Sequence, residues 1–212
     1  MRRRAAHTAA VLCVLFAFPG CAGSGYTYVV EEELGVYFRV PDQYTVFSAD
    51  EVREVAARDV PAEAADQMQA QQWAVSFDAS NEPRVDAFAT QVGEPSDALA
   101  GFARVRTLND QERLGHSLNS LRNELVPAER LEQEGGLRVL GAEEINQAGG
   151  QGLHLTFALD VGAGTVIIDQ TSMVDRATRR VYLLALGCSS SCYEASRDEI
   201  AAIRGSWTIE ER

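Results

Sequence analysis

Few residues in this 212-residue chain have chemical reach. Histidine stands at His7, His116 and His154, and cysteine at Cys13, Cys21, Cys188 and Cys192. His154 lies in "GLHLTFALDV", alternating with Leu153, Leu155, Phe157 and Leu159 and sharing its face with Thr156 and Asp160. If Gly162 and Ala163 make a two-residue hairpin turn, residue 154 pairs with Thr171 and residue 156 with Asp169. His154, Thr156, Asp169 and Thr171 would then share one polar patch. A histidine beside a carboxylate and two hydroxyls is what a nucleophilic hydrolase needs. The same pairs are also ordinary cross-strand contacts on a sheet surface, and no oxyanion-binding element accompanies them. His154 is therefore expected to face solvent.

The other candidates are weaker. "GHSLN", Gly115 to Asn119, departs from the Gly-x-Ser-x-Gly elbow at its last position, and Ser117 falls within a helical pattern rather than after a strand. It reads as a polar, solvent-facing helix surface, and His116 with it. "GAGT" at 162–165 lacks the third glycine and the helix of a dinucleotide loop. The histidines are too few and too far apart for a zinc site, and the carboxylates do not match a calcium-loop spacing. No cofactor follows from the sequence. "CSSSC" pairs Cys188 with Cys192, which outside the cytoplasm predicts a short-loop disulfide. Its three intervening residues differ from the two of the redox motif. Two capping boxes compete just beyond it, Ser191 with Glu194 and Ser196 with Glu199.

The remaining cysteine of interest, Cys21, ends an N-terminal pattern. Arg2, Arg3 and Arg4 precede an uncharged apolar run, Ala9 to Phe18, followed by small residues at Gly20 and Ala22. That order is a secretory signal, with an apolar run far short of the roughly 20 residues of a spanning helix. The predicted organisation is a signal peptide over 1–20, a lipidated cysteine and tether over 21–33, and a single domain over 34–212. Plain cleavage after Ala22, giving a secreted or periplasmic protein, is the alternative. Loss of residues 1–20 takes three of the 19 basic residues and none of the 31 acidic ones, leaving a formal charge of −15. All the basic residues are arginine. So acidic a surface repels phosphate backbones, and nucleic acid is excluded as a partner.

The elements that must position these residues alternate in type. "YTYVV" and "VYFRVP" read as strands either side of "EEELG", with Val36, Phe38 and Val40 on one face. "YTVFS" follows, then a helix capped by Ser48 and Glu51. A second helix is expected over "PAEAADQMQAQQ". Strands are expected at "WAVSFD", "RVDAFATQV" and "GFARVRTL". Leu114, Leu118, Leu121 and Leu125 mark one buried face of a helix over about 109–125. A meander follows, "LRVLGAEEIN", "GLHLTFALDV" and "TVIIDQTSMVD", and then "RRVYLLALG", apolar enough to be a central strand covered on both faces. A helix over "YEASRDEIAAIR" is expected to stop at Gly205, and "SWTIE" closes as a strand.

This is an α+β pattern: an antiparallel β-sheet flanked by helices. "GVYFRVPDQYTVFS", the leucine-striped helix, the meander and the closing "EIAAIRGSWTI" resemble the PsbP/Mog1-type fold, an α/β/α sandwich shared by small bacterial envelope lipoproteins of the LpqN type. "FPGC" likewise resembles the lipobox of bacterial lipoproteins. The resemblance implies an extracytoplasmic, lipid-anchored protein at the cell membrane. It implies no shared catalytic residue. The resulting expectation is a non-enzymatic protein held to the bilayer through Cys21 that binds another envelope protein. The rivals are an extracytoplasmic hydrolase built on His154 and a small apolar-ligand carrier.

Overall fold

A computed structural model describes residues 25–58, 72–91 and 93–210. Cys21 and the helix expected over "PAEAADQMQAQ" lie outside the described residues. Two antiparallel sheets organise the remainder. The smaller contains β1 (Tyr26–Glu31), β2 (Val36–Pro41) and β10 (Thr208–Ile209), in the order β1-β2-β10. The larger contains β3 (Thr45–Phe47), β4 (Gln72–Asp78), β5 (Ala100–Thr107), β6 (Leu137–Gln147), β7 (Gly150–Asp160), β8 (Thr165–Asp175) and β9 (Arg180–Ser189). Its order is β3-β4-β5-β9-β8-β7-β6. β9 is thus the middle strand of seven. Leu183, Leu184, Ala185 and Leu186 of β9 are all fully buried, on alternate faces. Each of those leucines contributes roughly 1.5–3 kcal/mol by leaving water.

The helices are α1 (Ala49–Ala56), α2 (Ala87–Gln91), α3 (Asp110–Gly115), α4 (Leu118–Arg122), α5 (Ala128–Gln133), α6 (Ser190–Ala195) and α7 (Arg197–Ser206). One face of the large sheet packs Phe77, Leu184 and Leu186 against Val36 and Phe38 of the small sheet and Ile200 and Ile203 of α7. The other face packs Phe157, Ile168 and Leu183 against Phe88 of α2 and Ala128 of α5. Leu121 of α4 joins a third cluster with Leu108, Val174 and Val181. Phe77 lies directly across from Gly101, where any Cβ would overlap its ring. Tyr44 anchors the join between layers, its ring 6.3 Å from that of Phe77 and its hydroxyl donating to Glu199 of α7 at 2.6 Å. Burial, then the neighbouring Glu199 carboxylate, pushes the Tyr44 phenol above its usual range.

Four expectations from sequence are corrected. The single helix over 109–125 is two short ones, and Leu114, its first stripe residue, is 91% exposed. Local capping explains the break. Asn109 and Glu112 form a capping box that starts α3, Gly115 ends it, and Ser117 caps α4 by accepting from the Ser120 backbone N–H. "RVDAFATQV" is not a strand. Buried Asp78 accepts from the Ser80 and Arg84 backbone N–H groups and the Ser80 hydroxyl, curling the chain into a loop that leads to α2. The C-terminal helix is divided at Ser196 and runs past Gly205 to Ser206, where the buried Trp207 turns extended. Residues 26–31, expected within the tether, form β1 and pair with β2 along its whole length, so they belong to the fold.

Candidate functional site

The β7–β8 hairpin has the register its turn implies: His154 opposite Thr171 and Thr156 opposite Asp169. All four side chains lie on the face covered by the small sheet and the C-terminal helices, the face from which Met173 enters the core. His154 is therefore not solvent-facing. Its side chain is 15% exposed, and that of Asp169 only 1%.

Asp169 Oδ2 gathers three donors. His154 Nε2–H donates at 3.0 Å, Arg204 Nη1 of α7 at 2.9 Å and the Tyr193 hydroxyl of α6 at 3.3 Å. Burial, followed by the Asp169 charge, pushes the Tyr193 phenol up. Asp169 Oδ1 and Thr171 Oγ1 are buried without a protein partner. Arg204 Nη1 also lies 2.9 Å from His154 Nε2. The nitrogen that would serve a nucleophile in a triad is thus turned to the carboxylate and hemmed in by a guanidinium. Among the described residues no hydroxyl is hydrogen-bonded to His154. The arrangement pins the C-terminal helices to the sheet.

Sequence reasoning missed Arg204 and Tyr193. A signal for the first was present: Arg204 follows Ile200 by four residues and Ile203 by one, on the buried side of α7. An arginine on an apolar stripe requires an acid beneath it.

A second charged cluster, also unforeseen, occupies the opposite face. Arg104 and Arg106, alternating along β5, reach Glu124 at 3.3 and 3.1 Å, and Arg106 also reaches Glu112 at 2.5 Å. Burial lowers the Arg104 pKa, while backbone donation from Asn109 holds the Glu112 carboxyl below its ordinary value. His116 sits beside them at the α3–α4 break, its Nδ1 3.2 Å from Ser120 Oγ and its Nε2 buried without a partner. Burial is the main cause that lowers its pKa, against an upward pull from Glu124. His116 is consequently part of a packed junction rather than a solvated helix surface. Ser117 is exposed, but as a helix cap.

Cys188, at the end of β9, is bonded to Cys192 in the first turn of α6. The cap there is Ser189, whose side chain accepts from the Cys192 N–H, so neither expected capping box forms. Both cysteines are buried, and the bond staples the central strand to the helix that carries Tyr193. Among the described residues no three His, Cys, Asp or Glu side chains are placed to hold a metal ion, and no helix is long and apolar enough to cross a membrane. A cavity of about 400 Å³ opens between α1, α2 and β5, walled by Val52, Val55, Val85, Phe88, Phe102 and Leu125.

No protein-family model matches the sequence, and no curated protein matches it. Solved structures are similar in fold. Cyanobacterial PsbP (CyanoP) from Synechocystis superposes with a TM-score of 0.56 at 10% identity, over 92% of this chain and 99% of that one. The Saccharomyces cerevisiae Ran-binding protein Mog1p gives 0.47 at 11% identity, over 87% and 95%. LpqN of Mycobacterium tuberculosis, described as involved in cell envelope biogenesis, gives 0.46 at 14% identity, over 88% and 91%. The domain has the PsbP/Mog1-type fold that the sequence pattern resembles. Identities this low speak to fold alone.

Proposed function

We propose that the chain is an extracytoplasmic lipoprotein, tethered to the cell membrane through Cys21, whose domain binds another envelope protein without catalysing a reaction. One observation carries the non-catalytic reading: Asp169, the acid of the only histidine–carboxylate patch legible in the sequence, is spent on Arg204, His154 and Tyr193 inside the fold. The anchor reading is supported by the "FPGC" pattern after an uncharged apolar run. A single acyl chain holds a protein weakly, whereas a diacylated cysteine holds it firmly.

Fractionation tests the anchor. The wild-type chain belongs in the membrane fraction and Cys21→Ser in the soluble one. A wild-type chain that is soluble and begins at Gly23 refutes it. Crosslinking in intact cells tests the binder, with the same envelope protein captured by wild type and by Ser117→Ala. Hydrolytic activity abolished by His154→Ala in a domain that keeps its circular dichroism would refute the non-enzymatic reading.

The apolar cavity favours a second reading, carriage of a small apolar ligand, since its walls are almost entirely hydrocarbon. A lipid found by mass spectrometry in the purified domain, and lost on Phe102→Arg, would support it.

A further inference from the structure

The outer face of the small sheet leaves large side chains uncovered. Tyr28 is 61% exposed and Val30 50%. The register sets Tyr28 opposite Arg39, Val30 opposite Tyr37, and Tyr37 opposite Thr208. Tyr26 completes the face, with the Arg39 guanidinium 4.2 Å above its ring. Val29, Val36 and Phe38 point the other way, into the core. Within its three strands the outer face therefore presents three of the chain's six tyrosines, a valine, an arginine and a threonine, and no carboxylate, in a chain with 31 acidic residues; exposed Glu210, bonded to Gly35 just past β10, lies at its edge. Amphipathic tyrosines and arginine are the side chains that settle at headgroup level, with an apolar body inward and a polar tip in water.

Position in the chain says what covers this face. Gly25, where the described structure starts, is only four residues past Cys21. Four residues at full stretch reach about 14 Å. A domain on so short a leash keeps β1 at the membrane surface whatever its other faces do. Charge selects the orientation, because the acidic remainder is repelled by anionic headgroups and a carboxylate-free face is not. We infer that the outer face of the β1-β2-β10 sheet lies on the bilayer at headgroup level, with Tyr26, Tyr28, Val30, Tyr37 and Arg39 as the contacting side chains. The acidic run from Glu31, the last residue of β1, to Glu33 in the following turn is at the strand end remote from the tether, so the face meets the membrane tether-end first. This inference rests on the lipid-anchor reading above.

The test uses the full-length, processed protein in vesicles of phosphatidylcholine mixed with anionic phosphatidylglycerol, with and without nitroxide-headgroup lipid. With Cys21 acylated and Cys188 bonded to Cys192, an introduced cysteine is the only free thiol to label. A fluorophore is placed at Val30→Cys, at Tyr28→Cys, and at Leu114→Cys on the opposite layer. The expected result is quenching several-fold stronger at positions 28 and 30 than at 114. Equal quenching at all three positions, or stronger quenching at 114, in a protein that does sediment with the vesicles overturns the orientation and leaves the anchor standing. A protein that fails to sediment and carries an unmodified residue 21 overturns the anchor, and the inference with it. Shielding of position 30 from aqueous iodide without vesicles, growing with protein concentration, assigns the face to a second copy of the chain and also overturns the inference.

Discussion

Replacing Arg204 with leucine strands the Asp169 carboxylate inside the protein. Its side chain is 1% exposed, and Oδ2 would retain only His154 and Tyr193 as donors. Removing one partner of a buried ion pair typically costs 3–5 kcal/mol. The lower end applies here, because the Arg204 side chain is 36% exposed and part of its charge is already screened by water. About 3 kcal/mol is therefore expected for Arg204→Leu at pH 7. Asp169→Val should cost less, about 1–2 kcal/mol, because the freed guanidinium can swing to solvent. The double variant replaces the pair with hydrocarbon and should be no worse than Arg204→Leu alone, so the two effects are far from additive. Urea unfolding of the Cys21→Ser chain reads this directly. With a slope of about 2 kcal/mol per molar, Arg204→Leu lowers the midpoint by about 1.5 M. Additive single effects, with a coupling energy under about 0.5 kcal/mol, would show that Asp169 is solvated and that the pair does not pin α7.

Three further outcomes follow from the packing. Cys188→Ala with Cys192→Ala opens a small ring, and chain entropy alone predicts a loss of about 2 kcal/mol, read as a modest fall in melting temperature. Gly101→Val drives a side chain into the Phe77 ring; calorimetry should show a loss of about 1–3 kcal/mol, partly recovered when Phe77→Leu is added. His116 has a folded-state pKa below its unfolded value, so the unfolded chain takes the proton first. Its contribution is fully present above the ordinary histidine pKa of about 6.5 and declines as pH falls through that value towards the lower folded one. His116→Gln should flatten this part of the stability–pH curve, and an unchanged slope would contradict the buried setting of the ring.

What was legible in the sequence is what alternation and turn symmetry encode. Val36, Phe38 and Val40 declared the buried face of β2, and the unbroken run from Val181 to Gly187 marked a strand covered on both sides. The hairpin centre at Gly162 and Ala163 set His154 against Thr171 and Thr156 against Asp169, since an antiparallel register is fixed once its turn is known. The Cys188–Cys192 bond followed from a spacing of four. These are local rules, satisfied within a few residues or across one turn. The helices were misread where capping overrode periodicity: Leu114 fits an apolar stripe, yet Asn109 and Ser117 bond to nearby backbone and cut the helix in two. What surrounds His154 and Asp169 could only be seen in three dimensions. The residues that complete the cluster come from elsewhere in the chain, Tyr193 24 positions beyond Asp169 and Arg204 35. Only the layering of α6 and α7 over the sheet brings them there and takes the carboxylate out of water, and in that dry setting the Arg204 guanidinium and the Tyr193 hydroxyl share the acid with His154.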